Sequence, residues 1–160
     1  MPIKVLRPGV KVPKAAHEGD AGLDAAIAAF AKIEVEGDRR RLVELDVDEY
    51  VLEPLERIAC PLGFATAIPE GYYVWAVPRS GLALWEGVTI LNTPGTIDAG
   101  YRNEWVANMV NVSNVPVKLV RGERVLQLML RRIVPFEFEV VDELPPSERG
   151  MRGFGSSGKT

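Results

Sequence analysis

Residues 42–47 read Leu-Val-Glu-Leu-Asp-Val, with Val43, Leu45 and Val47 in step and Leu42, Glu44 and Asp46 between them. A repeat of two places one set of side chains on a core and the other in water, which is the signature of a half-buried strand. The same pattern returns near the end of the chain, where Phe136, Phe138 and Val140 alternate with Glu137 and Glu139. Tyr72–Val77 and Val125–Ile133 are apolar on both sides of the alternation and read as strands covered on both faces. Val106–Val112 is a further β-branched run, closed by Ser113, Asn114 and Pro116.

Turn signals separate these runs about every ten residues: Arg7-Pro8-Gly9, Glu36-Gly37-Asp38, Pro69-Glu70-Gly71, Pro94-Gly95 and Arg121-Gly122-Glu123. Many short strands with regular punctuation predict an all-β barrel or double-sheet jelly roll. Helix signals are few. Asp24–Phe30 has high helix propensity but is short, and tertiary context overrides propensity in such segments. Ser80–Trp85 predicts one short helix with Ser80 at its N-cap.

Composition narrows the chemistry. A chain of 160 residues fits one domain, and 22 acidic against 19 basic side chains give a formal charge of -3. That balance argues against stable nucleic-acid binding, which draws on excess Lys and Arg. Cys60 is the sole cysteine and His17 the sole histidine, so an intramolecular disulfide is excluded. A Ser-His-Asp triad or a His-rich metal site would have to rest on His17 alone, and a surface loop is the expected setting for that residue. The chemistry is left to carboxylates, water, hydroxyls, Arg and Lys, with or without a metal brought in by the substrate. Cys60 lies in an apolar run and is expected to pack. Trp75, Trp85 and Trp105 are expected as core or subunit-interface anchors.

The uncharged run Ile58–Pro69 is too short to span a membrane as a helix. Met1-Pro2-Ile3-Lys4 passes directly into alternating sequence without the apolar stretch of a signal peptide. With a free thiol, the expected location is the cytoplasm, with no membrane partner.

After Pro145-Pro146 the character changes. Residues 147–160 hold four glycines and only two large apolar residues, Met151 and Phe154, too few to bury much surface. The segment is either a frayed tail or a flexible arm that closes over a ligand. Arg149, Arg152 and Lys159 against Glu148 make it net positive, Gly155-Ser156-Ser157-Gly158 offers N–H and hydroxyl donors, and Phe154 offers one aromatic face.

Four more stretches concentrate Gly and polar residues at strand ends: Asp20-Ala21-Gly22-Leu23-Asp24; Pro78-Arg79-Ser80-Gly81-Leu82-Ala83; Asn92 to Arg102; and Arg121 to Gln127. Arg79 beside Ser80 at a helix start sets a fork of donors next to free N–H groups, which suits an anion. Asp98 lies at a tight hairpin with Tyr101 three residues on. Gln127 interrupts an apolar strand and needs a partner. Each is weak alone. In this order, with the C-terminal Arg149–Gly158, they resemble the five motifs of the trimeric dUTPase (deoxyuridine triphosphate nucleotidohydrolase) family, over nearly the whole chain.

The resemblance implies a jelly-roll or distorted β-barrel domain over residues 1–146, with one short helix. It also implies a glycine-rich arm over 147–160 that closes a neighbouring subunit's site in a homotrimer. The implied reaction is dUTP and water giving dUMP and pyrophosphate, with Mg2+ on the triphosphate, which limits uracil in DNA and supplies dUMP for dTMP synthesis. Asp98 matches the carboxylate that activates the attacking water. Tyr101 matches the aromatic that excludes a 2'-hydroxyl. Asn92 and the Gly95-Thr96-Ile97 backbone match the uracil pocket. Arg79, Ser80, Gly81 and Gln127 match the phosphate-binding positions, and Asp24 a carboxylate reaching the metal through water. Arg149, Phe154, Gly155, Ser156 and Ser157 match the arm's contacts to the phosphates and base.

Three departures stand out: Arg152 and Asn103 replace usual glycines, and the stretch from Asp24 to Arg79 is longer, with Arg39-Arg40-Arg41 in the extra part. The same superfamily offers dCTP deaminase as an alternative. A non-catalytic trimeric nucleotide-binding regulator is the alternative from another class, against which the retained Asp98 speaks.

Overall fold

The β-branched and aromatic runs become strands wherever a neighbouring edge can pair with them. The computed structural model describes residues 1–153. They form β1 (Ile3–Val5), β2 (Leu23–Ala26), β3 (Phe30–Glu36), β4 (Arg39–Leu45), β5 (Glu49–Leu52), β6 (Arg57–Pro61) and β7 (Phe64–Thr66). After these come β8 (Tyr72–Pro78), β9 (Val88–Ile90), β10 (Gly95–Ile97), β11 (Val106–Asn111), β12 (Val117–Val120) and β13 (Arg124–Arg132). A five-stranded sheet runs β4-β3-β6-β11-β9 and a four-stranded sheet β10-β8-β13-β2, with the pairs β1-β7 and β12-β5 beside them. The strand pairings are antiparallel.

One core joins the sheets. Phe30, Ile58, Val88 and Met109 enter it from the larger sheet, Ala25, Val74, Val125 and Leu126 from the smaller, and Leu52 and Leu119 from the β12-β5 pair. The chain is therefore all-β, of the jelly-roll type expected. No helix of the described residues is long and apolar enough to cross a membrane.

Asp24–Phe30, where tertiary context is expected to override helix propensity, gives the end of β2 and the start of β3. Its Ala25, Ile27, Ala29 and Phe30 are all buried, and that burial outweighs the helix propensity of alanine. The helix after Arg79 is present, but its main part is a single π turn over Leu82–Glu86, and no side chain caps it. Ser80 already lies inside the helical turn, so it is not the N-cap. Gly87 ends the turn at φ 65°, where an added Cβ would meet Ser113 Cβ at 2.7 Å. In β8, Val74 and Ala76 are buried while Tyr73, Trp75 and Val77 are half-buried, so one face is covered deeply and the other only partly.

The largest departure is Phe136–Val140. It forms no strand, and Phe136, Phe138 and Val140 are 76%, 90% and 97% exposed. The alternation is real, but no strand edge of the described residues pairs with it.

Candidate active site

Two clusters of the predicted residues form, one at each end of β8. The first is a pocket beside β10. Asn92 precedes a cis Thr93–Pro94 peptide, and the chain then enters β10, whose Gly95, Thr96 and Ile97 pair with Ala76, Trp75 and Val74 of β8. Beside this hairpin lies a cavity of about 210 Å³. Asn92, Gly95, Thr96, Ile97, Asp98 and Tyr101 line one side of it; Leu62, Ile90, Trp105 and Leu126 give it apolar walls. β10 is the outer strand of its sheet, so one row of its backbone N–H and C=O groups is not used by β8.

Asp98 is exposed at the exit of β10. The Tyr101 amide donates to the Asp98 carbonyl at 3.1 Å, and the Tyr101 hydroxyl donates to the Glu104 carbonyl at 3.1 Å. Arg102 donates to the carbonyls of Ala99 and Tyr101. The loop is thereby folded on itself with the Tyr101 ring at the cavity. Glu104, half-buried, accepts Arg7 Nε at 2.6 Å, Arg7 Nη2 at 2.8 Å and the Gly63 amide at 2.8 Å. The Arg7 hydrogen bonds hold the Glu104 carboxyl below its usual range, against the opposing effect of burial, and the same bonds raise Arg7.

The second cluster lies where β8, β13 and β2 meet. Asp24 stands opposite Gln127 in the β13-β2 register. Its side chain is 8% exposed and is held by Arg124 Nη1 at 2.8 Å and Arg79 Nε at 3.6 Å. Arg79 is fixed further by its amide on the Val125 carbonyl at 3.1 Å and its Nη1 on the Arg124 carbonyl at 3.2 Å. Gly22 leaves room for Gln127: an added Cβ would lie 3.1 Å from Gln127 Cβ. Ser80 and Gly81 follow Arg79 at the helix start. Two guanidiniums around one carboxylate leave a net positive charge with donors to spare, a setting that attracts phosphate oxygens.

Arg124 was missed by the sequence reading. It lies in the quoted fourth motif, at the first position of β13, and its value emerges only when Asp24, 100 residues away, is folded beside it. Leu62, Ile90, Trp105 and Leu126 were missed as pocket walls for the same reason.

Asp98 and Arg79 are well separated along β8. By continuation of the register, Asp98 falls opposite Tyr73, while Arg79 is just past the other end of β8. Six residues of strand span roughly 20 Å.

Arg149 joins neither cluster. It lies in a turn over residues 147–152, where its guanidinium donates to the carbonyls of Arg152 and Gly153. Arg152 donates to the carbonyls of Arg149 and Glu148. Phe154, Gly155, Ser156 and Ser157 lie outside the described residues. His17 is exposed in a loop, as expected.

Among the described residues no three His, Cys, Asp or Glu side chains gather to hold a metal. Asp24 is a single carboxylate beside an anion site, a donor set that suits a hydrated ion held mainly by phosphates.

A dUTPase family model matches residues 45–158. The deoxyuridine 5'-triphosphate nucleotidohydrolase of Thermobifida fusca is 41% identical over 98% of this chain and 77% of its own length. That of Fusobacterium nucleatum is 42% identical over 98% and 97%. Among solved structures, a mutant dUTPase of Staphylococcus bacteriophage 80alpha with dUpNHpp superposes with a TM-score of 0.75 at 27% identity, over 98% of this chain and 97% of that one. With the motifs in order and the pocket at β10, these matches establish that the chain belongs to the dUTPase family.

Proposed function

We propose that the protein is a dUTP diphosphatase that hydrolyses dUTP to dUMP and pyrophosphate with Mg2+. The observation that carries this reading is the free backbone edge of β10 on a pocket with apolar walls. An amide N–H and C=O side by side complement the O4 and N3–H of uracil. Cytosine presents the opposite pattern and leaves buried groups unpaired, at a cost of about 1–3 kcal/mol each. Asn92 borders the same pocket, and the Tyr101 ring lies where the sugar follows the base.

Asp98, at the exit of the base-reading strand, orients a water toward the phosphate next to the sugar and takes its proton. Arg79 and Gln127, with Ser80 and Gly81 at the helix start, hold the phosphate chain, and Arg124 joins them. When bound, Mg2+ supplies charge neutralisation on the phosphate oxygens, and Asp24 is the residue placed to reach its hydration shell. Most of the rate acceleration comes from positioning and charge compensation.

One chain does not hold a whole site. A triphosphate cannot bridge the roughly 20 Å between Asp98 and Arg79 along β8. We place Asp98, Tyr101 and the β10 pocket of one subunit against the Arg79–Gln127 cluster of another, in a homotrimer. The exposed Leu84, Trp85, Phe136 and Phe138 supply apolar surface for such an assembly. The 147–160 arm, with Arg149, Phe154, Gly155, Ser156 and Ser157, closes the site from a further subunit. The domain proper is 1–146, and the protein acts in the cytoplasm.

The test is incubation with Mg2+ and dUTP, dCTP or UTP separately, followed by product separation. The expected result is dUMP and pyrophosphate from dUTP alone. Ammonia and dUTP formed from dCTP would identify a deaminase, and no turnover of any nucleotide would identify a binding protein.

A further inference from the structure

We infer that Arg7 and Glu104 are positioning residues for the Tyr101 ring, and through it set the preference for deoxyribose over ribose. The inference rests on the reading of the site given above.

The loop from Tyr101 to Trp105 has little backbone support of its own. Among the described residues, the amides of Arg102, Asn103 and Glu104 bond to no backbone carbonyl outside regular strands and helices, and these three residues lie outside those elements. What fixes the loop is at its two ends. Trp105 is stapled by backbone bonds, its amide to the Phe64 carbonyl at 3.0 Å and its carbonyl to the Leu62 amide at 2.8 Å. At the other end the ring of Tyr101 hangs by its hydroxyl on the Glu104 carbonyl. The Tyr101 backbone is set by its amide on the Asp98 carbonyl and by Arg102, and the placement of Glu104 sets where the far end of the ring is held.

Glu104 is held by its side chain. Its carboxylate takes both arms of the Arg7 fork and the Gly63 amide. Arg7 is itself fixed twice over. Its remaining Nη1 reaches both oxygens of Glu44 at 2.7 Å. Next to it, the Leu6 amide bonds the Gly63 carbonyl at 2.8 Å. The segment is pressed so closely on Gly63 that an added Cβ there would clash with Val10 Cγ2 and lie 2.9 Å from Ala28 Cβ. Glu44 belongs to β4. The β3–β4 hairpin thus reaches the sugar side of the pocket through Glu44, Arg7 and Glu104.

A bidentate fork is the right device for this task. It fixes orientation as well as distance, which a single ammonium contact does not. A ring displaced by about 1 Å no longer excludes a 2'-hydroxyl, and misplacement of that size changes rates by up to about 100-fold.

The test compares kcat/KM for dUTP and UTP in the wild type, Glu104→Gln, Arg7→Ala and Arg7→Lys. UTP is followed both as substrate and as competitor of dUTP hydrolysis. Arg41→Gln, which removes an exposed pair with Glu34 on the same hairpin, is the control. The expected result is a fall of about tenfold in the dUTP:UTP ratio for Glu104→Gln and Arg7→Ala, with UTP becoming the stronger competitor. Arg7→Lys retains part of the preference, and the control retains all of it. Should Glu104→Gln fail to fold, Arg7→Lys carries the same comparison. An unchanged ratio, with or without a lower melting temperature, would reduce the clamp to a stabilising contact and overturn the inference. A wild type that leaves dUTP intact would instead overturn the reading of the site on which it rests.

Discussion

Asp98 and Arg79 lie at opposite ends of one strand pair: Asp98 leaves β10 opposite Tyr73, and Arg79 leaves β8 six positions further on. If each active site draws these two residues from different subunits, two dead variants can rescue one another. Asp98→Asn and Arg79→Ala are each expected to be nearly inactive alone. Refolded together in equal amounts, random trimers restore both residues in about a quarter of the sites, and about a quarter of wild-type activity returns. No recovery on mixing would place both residues in a site within one chain.

Asp98→Asn separates chemistry from binding. Asn keeps the shape but accepts no proton, so kcat is expected to fall by about 10²–10⁴. Asp98 is exposed at the rim of the pocket and makes no side-chain hydrogen bond among the described residues. Affinity for the non-hydrolysable analogue dUpNHpp, read by calorimetry, should therefore stay within a few-fold of wild type. A kcat near that of the wild type would remove Asp98 from its assigned role.

The arm offers a third check. Among the described residues, every hydrogen bond of the segment from Ser147 to Gly153 stays inside it, and the side chains are exposed. Removing 147–160 should lower activity strongly and leave the melting temperature within a few degrees. A large fall in melting temperature would make the segment part of the trimer's framework.

The fold was legible where pairing is local and the site where motifs are contiguous. β8 and β13 were readable because apolar content and flanking turns both marked strands. β3 was harder, since Asp24–Phe30 carries helix-forming alanines and becomes extended only because the core takes Ala25, Ile27 and Phe30. Phe136–Val140 reads as a strand by its own pattern, yet a strand also needs an edge, and sequence alternation does not say where that edge is. In the same way Arg79, Asp98 and Tyr101 were found from their neighbours. The Arg7–Glu104 pair, 97 positions apart, and the Arg124–Asp24 pair, 100 apart, exist only after folding.

Cys60 gives a test of core integrity. It is fully buried on β6, and burial, with a smaller effect from the charge of Glu123, pushes its thiol up to about 12. An aromatic disulfide reagent at pH 8 should react with less than one thiol per chain over minutes in the native protein and with one in denaturant. Rapid reaction of the native protein would mean that the core around β6 opens readily.

The Arg7–Glu104 pair predicts a defined pH dependence. Glu104 titrates below its ordinary value of 4.5 in the folded protein because Arg7 bonds the carboxylate. A carboxyl with a lowered folded pKa stabilises the fold above its unfolded value, and the contribution fades as pH falls through the folded one. Glu104→Gln should therefore lower the melting temperature at pH 7, by about 3 °C for a hydrogen-bonded pair of this exposure. Protonation of Glu104 in the wild type makes the two proteins alike, so the gap between them should close progressively below pH 4.5. Because both proteins share every other carboxylate, including Glu44 beside Arg7, the difference isolates this one group. A gap that stays constant from pH 7 to pH 3 would show that the substitution costs stability through shape alone and that the charge on Glu104 contributes nothing.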